Sequence, residues 1–93
     1  MKNYKERIDF ISTCLTQLNI PHEVRPIWEG WQILCPWADN ADAAAHDGTY
    51  GAKRGMVETY EFPWDEGDVS VLTPEEAADR IITYWNQLNG REV

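Results

Sequence analysis

Eight carboxylates, Glu58, Glu61, Asp65, Glu66, Asp68, Glu75, Glu76 and Asp79, fall within residues 55–79 with no Lys or Arg among them, and Tyr60, Phe62 and Trp64 are interleaved with the first of these. Elsewhere eight acids face eight bases, so the formal charge of −8 belongs to that one segment. A field of one sign steers oppositely charged partners in and turns like-charged ones away. The chemistry on offer is recognition of a cationic surface: Glu58, Glu61, Asp65, Glu66 and Asp68 form an anionic array, and Trp64 and Trp37, each next to a proline, are its aromatic anchors. The bland reading is a solvated face that keeps a small protein soluble.

Other side chains could do covalent or metal chemistry. Cys35, His46 and Asp47 supply a nucleophile, a base and an orienter by type, but Cys35 falls on the apolar side of an extended run and reads as a buried thiol. With Cys14 as the second cysteine, the chain has too few for a disulfide framework, so both are expected to be free. The donors of Asp39-Asn40-Ala41-Asp42 and His46-Asp47 do not have the alternate-position acids of a calcium loop, and zinc would need soft ligands from other elements. Paired acids such as Asp65 and Glu66 do acid–base work only in a desolvated cleft, and a turn is the wrong place for one. The stretch from Gly48 to Gly55, with Lys53 and Arg54, resembles a phosphate cradle but lacks the hydroxyl residue after Lys and the helix that a P-loop needs. The expectation is a protein that is not an enzyme and uses no metal or cofactor.

The acidic balance also argues against direct nucleic-acid binding, whose affinity comes from Lys and Arg on phosphates. No run approaches the ~20 apolar residues of a membrane span, and the first residues alternate in charge instead of opening a signal-peptide core. A cytoplasmic location with no membrane partner follows as the expectation.

Positioning falls to elements that the apolar pattern outlines. Length allows one hydrophobic core and not two, so residues 1–93 are read as a single domain, with five tryptophans to fill it. Over residues 3–19, Tyr4, Ile8, Ile11, Leu15 and Leu18 recur at helical spacing, with Phe10 and Cys14 widening the stripe, until Pro21 stops it. Residues 23–37 read as a hairpin around Trp28-Glu29-Gly30-Trp31. With Glu29-Gly30 as its loop, Trp28 opposes Trp31, Pro26 opposes Ile33 and Val24 opposes Cys35 on a core-facing side, with Arg25, Ile27, Gln32 and Leu34 on the other. Residues 38–55, rich in Gly and Asp, read as a long surface loop with a short helical turn over 42–46. A strand over 56–62, a turn at Asp65-Glu66-Gly67 and a strand over 68–72 follow. Thr73-Pro74-Glu75-Glu76 then opens a helix that buries Ala77, Ile81, Trp85 and Leu88 and closes at Asn89-Gly90. The predicted class is α+β: a small antiparallel sheet, a hairpin plus one or two further strands, with the N- and C-terminal helices packed on one face.

The strings Trp28-Glu29-Gly30-Trp31-Gln32, Pro36-Trp37, His46-Asp47-Gly48-Thr49-Tyr50-Gly51, Arg54-Gly55-Met56-Val57-Glu58, Phe62-Pro63-Trp64-Asp65 and Thr73-Pro74-Glu75-Glu76 together resemble uncharacterised small acidic accessory proteins of bacterial prophages and mobile elements. The resemblance brings no catalytic residue. It implies a context that includes anti-CRISPR-type inhibitors, some of which imitate the charge of DNA. The leading expectation is therefore a phage-borne inhibitor that occupies a basic nucleic-acid-binding surface of a host effector such as a CRISPR nuclease. The alternatives are a structural or regulatory homodimer formed through an uncovered sheet face or edge, and a small ligand- or metal-binding domain using loop 39–54.

Overall fold

The computed structural model describes residues 2–90. Helix α1 (Tyr4–Gln17) forms where the sequence places its apolar stripe, and Tyr4, Ile8, Ile11 and Leu15 are buried along it. Five strands follow: β1 (Glu23–Ile27), β2 (Gly30–Cys35), β3 (Ala41–His46), β4 (Val57–Tyr60) and β5 (Ser70–Leu72); helix α2 (Pro74–Leu88) ends the fold. Each strand pairs antiparallel with the next, so the sheet order is β1-β2-β3-β4-β5. The architecture is α+β, with α1 over β1 to β3, α2 over β4 and β5, and the two helices packed against each other on that same face. Between them Ile8, Ile11, Leu15 and Ile81 meet Ile33, Cys35, Val57 and Leu72.

α2 starts as its sequence dictates. The Thr73 hydroxyl accepts from the Glu76 N–H at 3.1 Å, and the Glu76 carboxylate accepts from the Thr73 N–H at 2.9 Å, closing a capping box around Pro74. At the other end Leu88, expected in the core, is exposed. Phe10 likewise stays partly exposed.

Two expectations need correction. Residues 38–55 are not one loop, and 42–46 is not a helical turn: β3 runs through them as the central strand, paired with β2 along its whole length and with β4 at Asp42, Ala43 and Ala44. Alanine has low strand propensity, yet here small size decides. Ala41, Ala43 and Ala45 are fully buried on the helix side, where larger side chains would hold α1 away from the sheet. The hairpin of β1 and β2 also has a different register, since Ile27 pairs with Gly30 and Val24 with Ile33. Its loop is Trp28-Glu29, with Glu29 in the left-handed region at φ 62°. The slip is two residues along β2, an even number, so the faces survive: Val24, Trp31, Ile33 and Cys35 still look toward the helices. Trp28 loses its place and projects from the loop, 84% exposed, and Pro26, opposite Trp31, is exposed as well.

An odd number of strands between two helices fixes the direction of both. α1 begins beside Asp47, in the connection from β3 to β4, where the Lys2 ammonium and the Tyr4 hydroxyl both donate to its carboxylate at 2.9 Å. α2 begins just after Leu72, which pairs with Val57 past that same connection, and ends with Trp85 against Trp37. The helices therefore run parallel, and both finish at the end of the sheet that carries the β2–β3 and β4–β5 connections.

Candidate functional site: an acidic end

The connection from β4 to β5 turns sharply through residues that are not glycine. Glu61 and Glu66 occupy the left-handed region at φ 72° and 48°, flanking a 3₁₀ turn at Pro63–Asp65. That conformation costs an L residue about 1–2 kcal/mol, so it must be held from inside, and a buried polar cluster does so. The Thr59 hydroxyl on β4 donates to Asp65 Oδ1 at 2.9 Å and accepts from Trp64 Nε1 at 3.0 Å, while Asp65 Oδ2 accepts from the Phe62 N–H at 3.1 Å. Asp65 is only 5% exposed. It is therefore corrected out of the surface array: its carboxylate faces inward and holds the turn that displays its neighbours. Glu61, Glu66 and Asp68 stand exposed on that turn, with Asp39 exposed on the neighbouring β2–β3 connection.

Trp64 and Trp37 come to the same end on either side of Tyr84. Trp64 stacks on Phe62 with ring centroids 4.6 Å apart and meets Tyr84 at 6.4 Å; Trp37 lies 5.8 Å from Tyr84 and 4.9 Å from Trp85. Both indole N–H groups are used within the chain, Trp37's on the Pro21 carbonyl at 2.8 Å. Both rings are half-buried, so they brace the turn and the helix end and offer only an outer edge to a partner. The open side of Trp64 borders a groove of about 530 Å³ with Asp79 and Tyr84, and the Arg80 guanidinium sits 5.8 Å from its ring centroid.

Acidic side chains continue onto the sheet face turned away from the helices. Glu58, half-buried, accepts from the Tyr50 N–H and thereby ties the β3–β4 connection down. Asp42, opposite Tyr60 in register, accepts from Gln32 Nε2 at 2.8 Å, and Gln32 accepts from Arg25 Nε at 3.0 Å. Burial is the main cause that pushes the Asp42 carboxyl above its ordinary range, with Asp65 and Glu58 adding to it against the Gln32 hydrogen bond. The Tyr60 hydroxyl is pushed up chiefly by the Glu61 carboxylate beside it. Asp42 thus belongs to the acidic surface, although reading residues 38–55 as a loop hides it. The signal was present in the alternation of Ala41, Ala43 and Ala45 with Asp42, Ala44 and His46.

A raised carboxyl pKa has a defined consequence for stability. Ionising Asp42 costs the native state more than the unfolded chain, so its contribution worsens as pH climbs past the ordinary 3.8 and the penalty is complete above the native value. Asp42→Asn keeps the acceptor for Gln32 without the charge. The variant is expected to melt at a higher temperature than the parent near neutral pH and at the same temperature once both side chains are neutral in acid. A difference that is constant with pH would show that the charge is not the cause.

Among the described residues no cation forms a salt bridge with the carboxylates of this end, although the Arg80 guanidinium lies over Trp64 and Arg25 reaches toward Asp42 through Gln32. Among the described residues the salt bridges are Lys2–Asp47 and Lys5–Asp9, neither of which touches the eight acids of residues 55–79. The C-termini of both helices add partial negative charge there.

The alternative chemistries are not assembled. Cys35 is in the core, its thiol pushed up to about 12 by burial. His46 pairs in register with Gly30, five residues along β2 from Cys35 and roughly 17 Å away along the strand. His46 Nδ1 accepts from the Gly48 N–H, and Asp47 is held by Lys2 and Tyr4 instead of orienting the imidazole. Among the described residues no three His, Cys, Asp or Glu side chains gather into a metal-holding group. None of the described helices is long and apolar enough to cross a membrane. Comparison with protein-family models, curated proteins and solved structures finds no significant match to this chain.

Proposed function

We propose that this chain is an acidic protein-binding domain that occupies a basic, nucleic-acid-binding surface of another protein, with Glu58, Glu61, Glu66 and Asp68 taking the places of phosphates and Asp42 extending the field. A bacterial effector such as a CRISPR nuclease, whose guide and target channel is basic, is the kind of partner this chemistry fits. The observation that carries the reading is the uncompensated charge: exposed carboxylates at Glu61, Glu66 and Asp68, the first two held in costly backbone conformations, with no cation in a salt bridge to them among the described residues. If solubility were their whole purpose, Gly or Asn at Glu61 and Glu66 would relieve the backbone. Asp39, the outer edges of Trp64 and Trp37, and the prophage-type resemblance of the sequence point the same way.

The test is capture of a partner from bacterial lysate, followed by titration with the purified partner at increasing salt. Affinity is expected to fall steeply with ionic strength. The triple variant Glu61→Gln, Glu66→Gln, Asp68→Asn should lose about a hundredfold or more. Binding that ignores both salt and the triple variant, or a partner without a basic surface, would remove the reading. A tight dimer in sedimentation that shields these same residues would replace it with self-association.

A further inference from the structure

At the opposite end of the molecule Arg7 is buried without a carboxylate. Its side chain is 6% exposed; Nε donates to Asn3 Oδ1 and Nη1 to the Met56 carbonyl, both at 2.9 Å, and the guanidinium lies 5.0 Å from the Tyr4 ring centroid. Arginine is rarely buried so deeply unless an acid is paired with it. None of the described carboxylates comes within salt-bridge distance. Among the described residues Nη2 has no hydrogen-bond partner, the bonds of Arg7 being made by Nε and Nη1. The guanidinium thus has donors to spare, and Arg7 lines a depression of about 330 Å³ between the starts of α1 and α2.

What else lines that depression decides which ligand fits. Glu6 and Glu75 stand on its rim, both exposed, and Phe10 offers an apolar surface that is 42% exposed. A simple anion would reach Arg7 only past two carboxylates. A molecule that carries its own ammonium turns the same two groups from a barrier into a contact. We propose that this depression binds a free α-amino acid with an apolar side chain, its carboxylate on the Arg7 guanidinium, its ammonium against Glu75 and Glu6, and its side chain on Phe10. The volume falls near the lower end of the about 300–1,000 Å³ found for small-molecule sites. Arg7 suits the role because a guanidinium with free N–H groups takes a carboxylate in a two-pronged geometry.

The experiment is an amide and arginine-side-chain NMR titration of the full chain with L-leucine, and in parallel with N-acetyl-L-leucine, which lacks the ammonium, and L-leucinamide, which lacks the carboxylate. Leucine is expected to move the Arg7 Nε, Gly55 and Glu75 resonances saturably, and each truncated probe to bind roughly tenfold to hundredfold more weakly, as expected for the loss of one charged hydrogen-bonding group. Glu75→Gln, an exposed change that leaves the packing alone, should weaken leucine and abolish its advantage over N-acetyl-leucine. Arg7→Lys should weaken leucine and N-acetyl-leucine alike while sparing leucinamide. No saturable shift with leucine, equal response to all three probes, shifts confined to other residues, or an unchanged leucine affinity in Glu75→Gln would each overturn the proposal.

Discussion

Gly30→Ala is expected to leave the chain without a stable fold. The added methyl carbon would lie 2.1 Å from the Ala45 carbonyl oxygen and 2.5 Å from His46 Cβ, both on the central strand. Neither is the tip of a flexible side chain that could swing aside, so β2 and β3 would have to separate at the row where they pair. A clash of that kind belongs to the rare substitutions costing more than about 4 kcal/mol, against a total stability of about 5–15 kcal/mol for a domain. Gly55→Ala is the control. At Gly55 the φ of 76° disfavours a side chain, but nothing lies within 4 Å of the added carbon, so only the backbone cost of about 1–2 kcal/mol should appear. Urea unfolding followed by tryptophan fluorescence separates the two; equal losses would mean that β2 and β3 do not approach each other as described.

The second large effect distinguishes two adjacent acids. Asp65→Ala removes both acceptors of the cluster under the β4–β5 connection, leaving the Thr59 hydroxyl and the Phe62 N–H buried without that partner. An orphaned buried donor costs about 1–3 kcal/mol, so a loss of roughly 3 kcal/mol is expected. Glu66→Gln, one residue on and exposed, should leave the stability within about 0.5 kcal/mol of the parent while weakening binding of the proposed partner. If Asp65→Ala unfolds at the parent's denaturant concentration, the inward placement of its carboxylate is wrong. If Glu66→Gln binds a partner with undiminished affinity, that residue drops out of the interface.

That contrast shows where sequence reading succeeds and where it stops. α2 was legible because its start is written in local chemistry: Thr73 caps, Pro74 has no N–H to waste, and Glu76 reaches back, all within four residues. α1 was legible because four buried positions repeat at helical spacing. β3 was not, because its alanines are explained by a helix that crosses them from far along the chain, and no local preference encodes that approach. The hairpin faces were readable from alternation, while the register was not, since a shift of two residues leaves the alternation intact. Asp65 and Glu66 look alike in the sequence, and only the arrival of Thr59 beneath one of them sets their roles apart. Arg7 reads as an ordinary surface charge on an amphipathic helix; its burial depends on Met56, which the sheet carries to it.

The parallel run of the helices has a practical corollary for anyone tethering this protein. Residue 2 leaves the body near Asp47, whereas residue 90 leaves it near the carboxylate-rich pole. A bead, fluorophore or fusion partner joined ahead of Lys2 holds the molecule with that pole pointing outward, free to meet a cationic surface. The same attachment placed beyond Gly90 stands beside the carboxylates and competes for their space. Two tagged forms that differ only in which end is anchored are thus two orientations of one electrical dipole, and capture by one with failure by the other would itself locate the working pole.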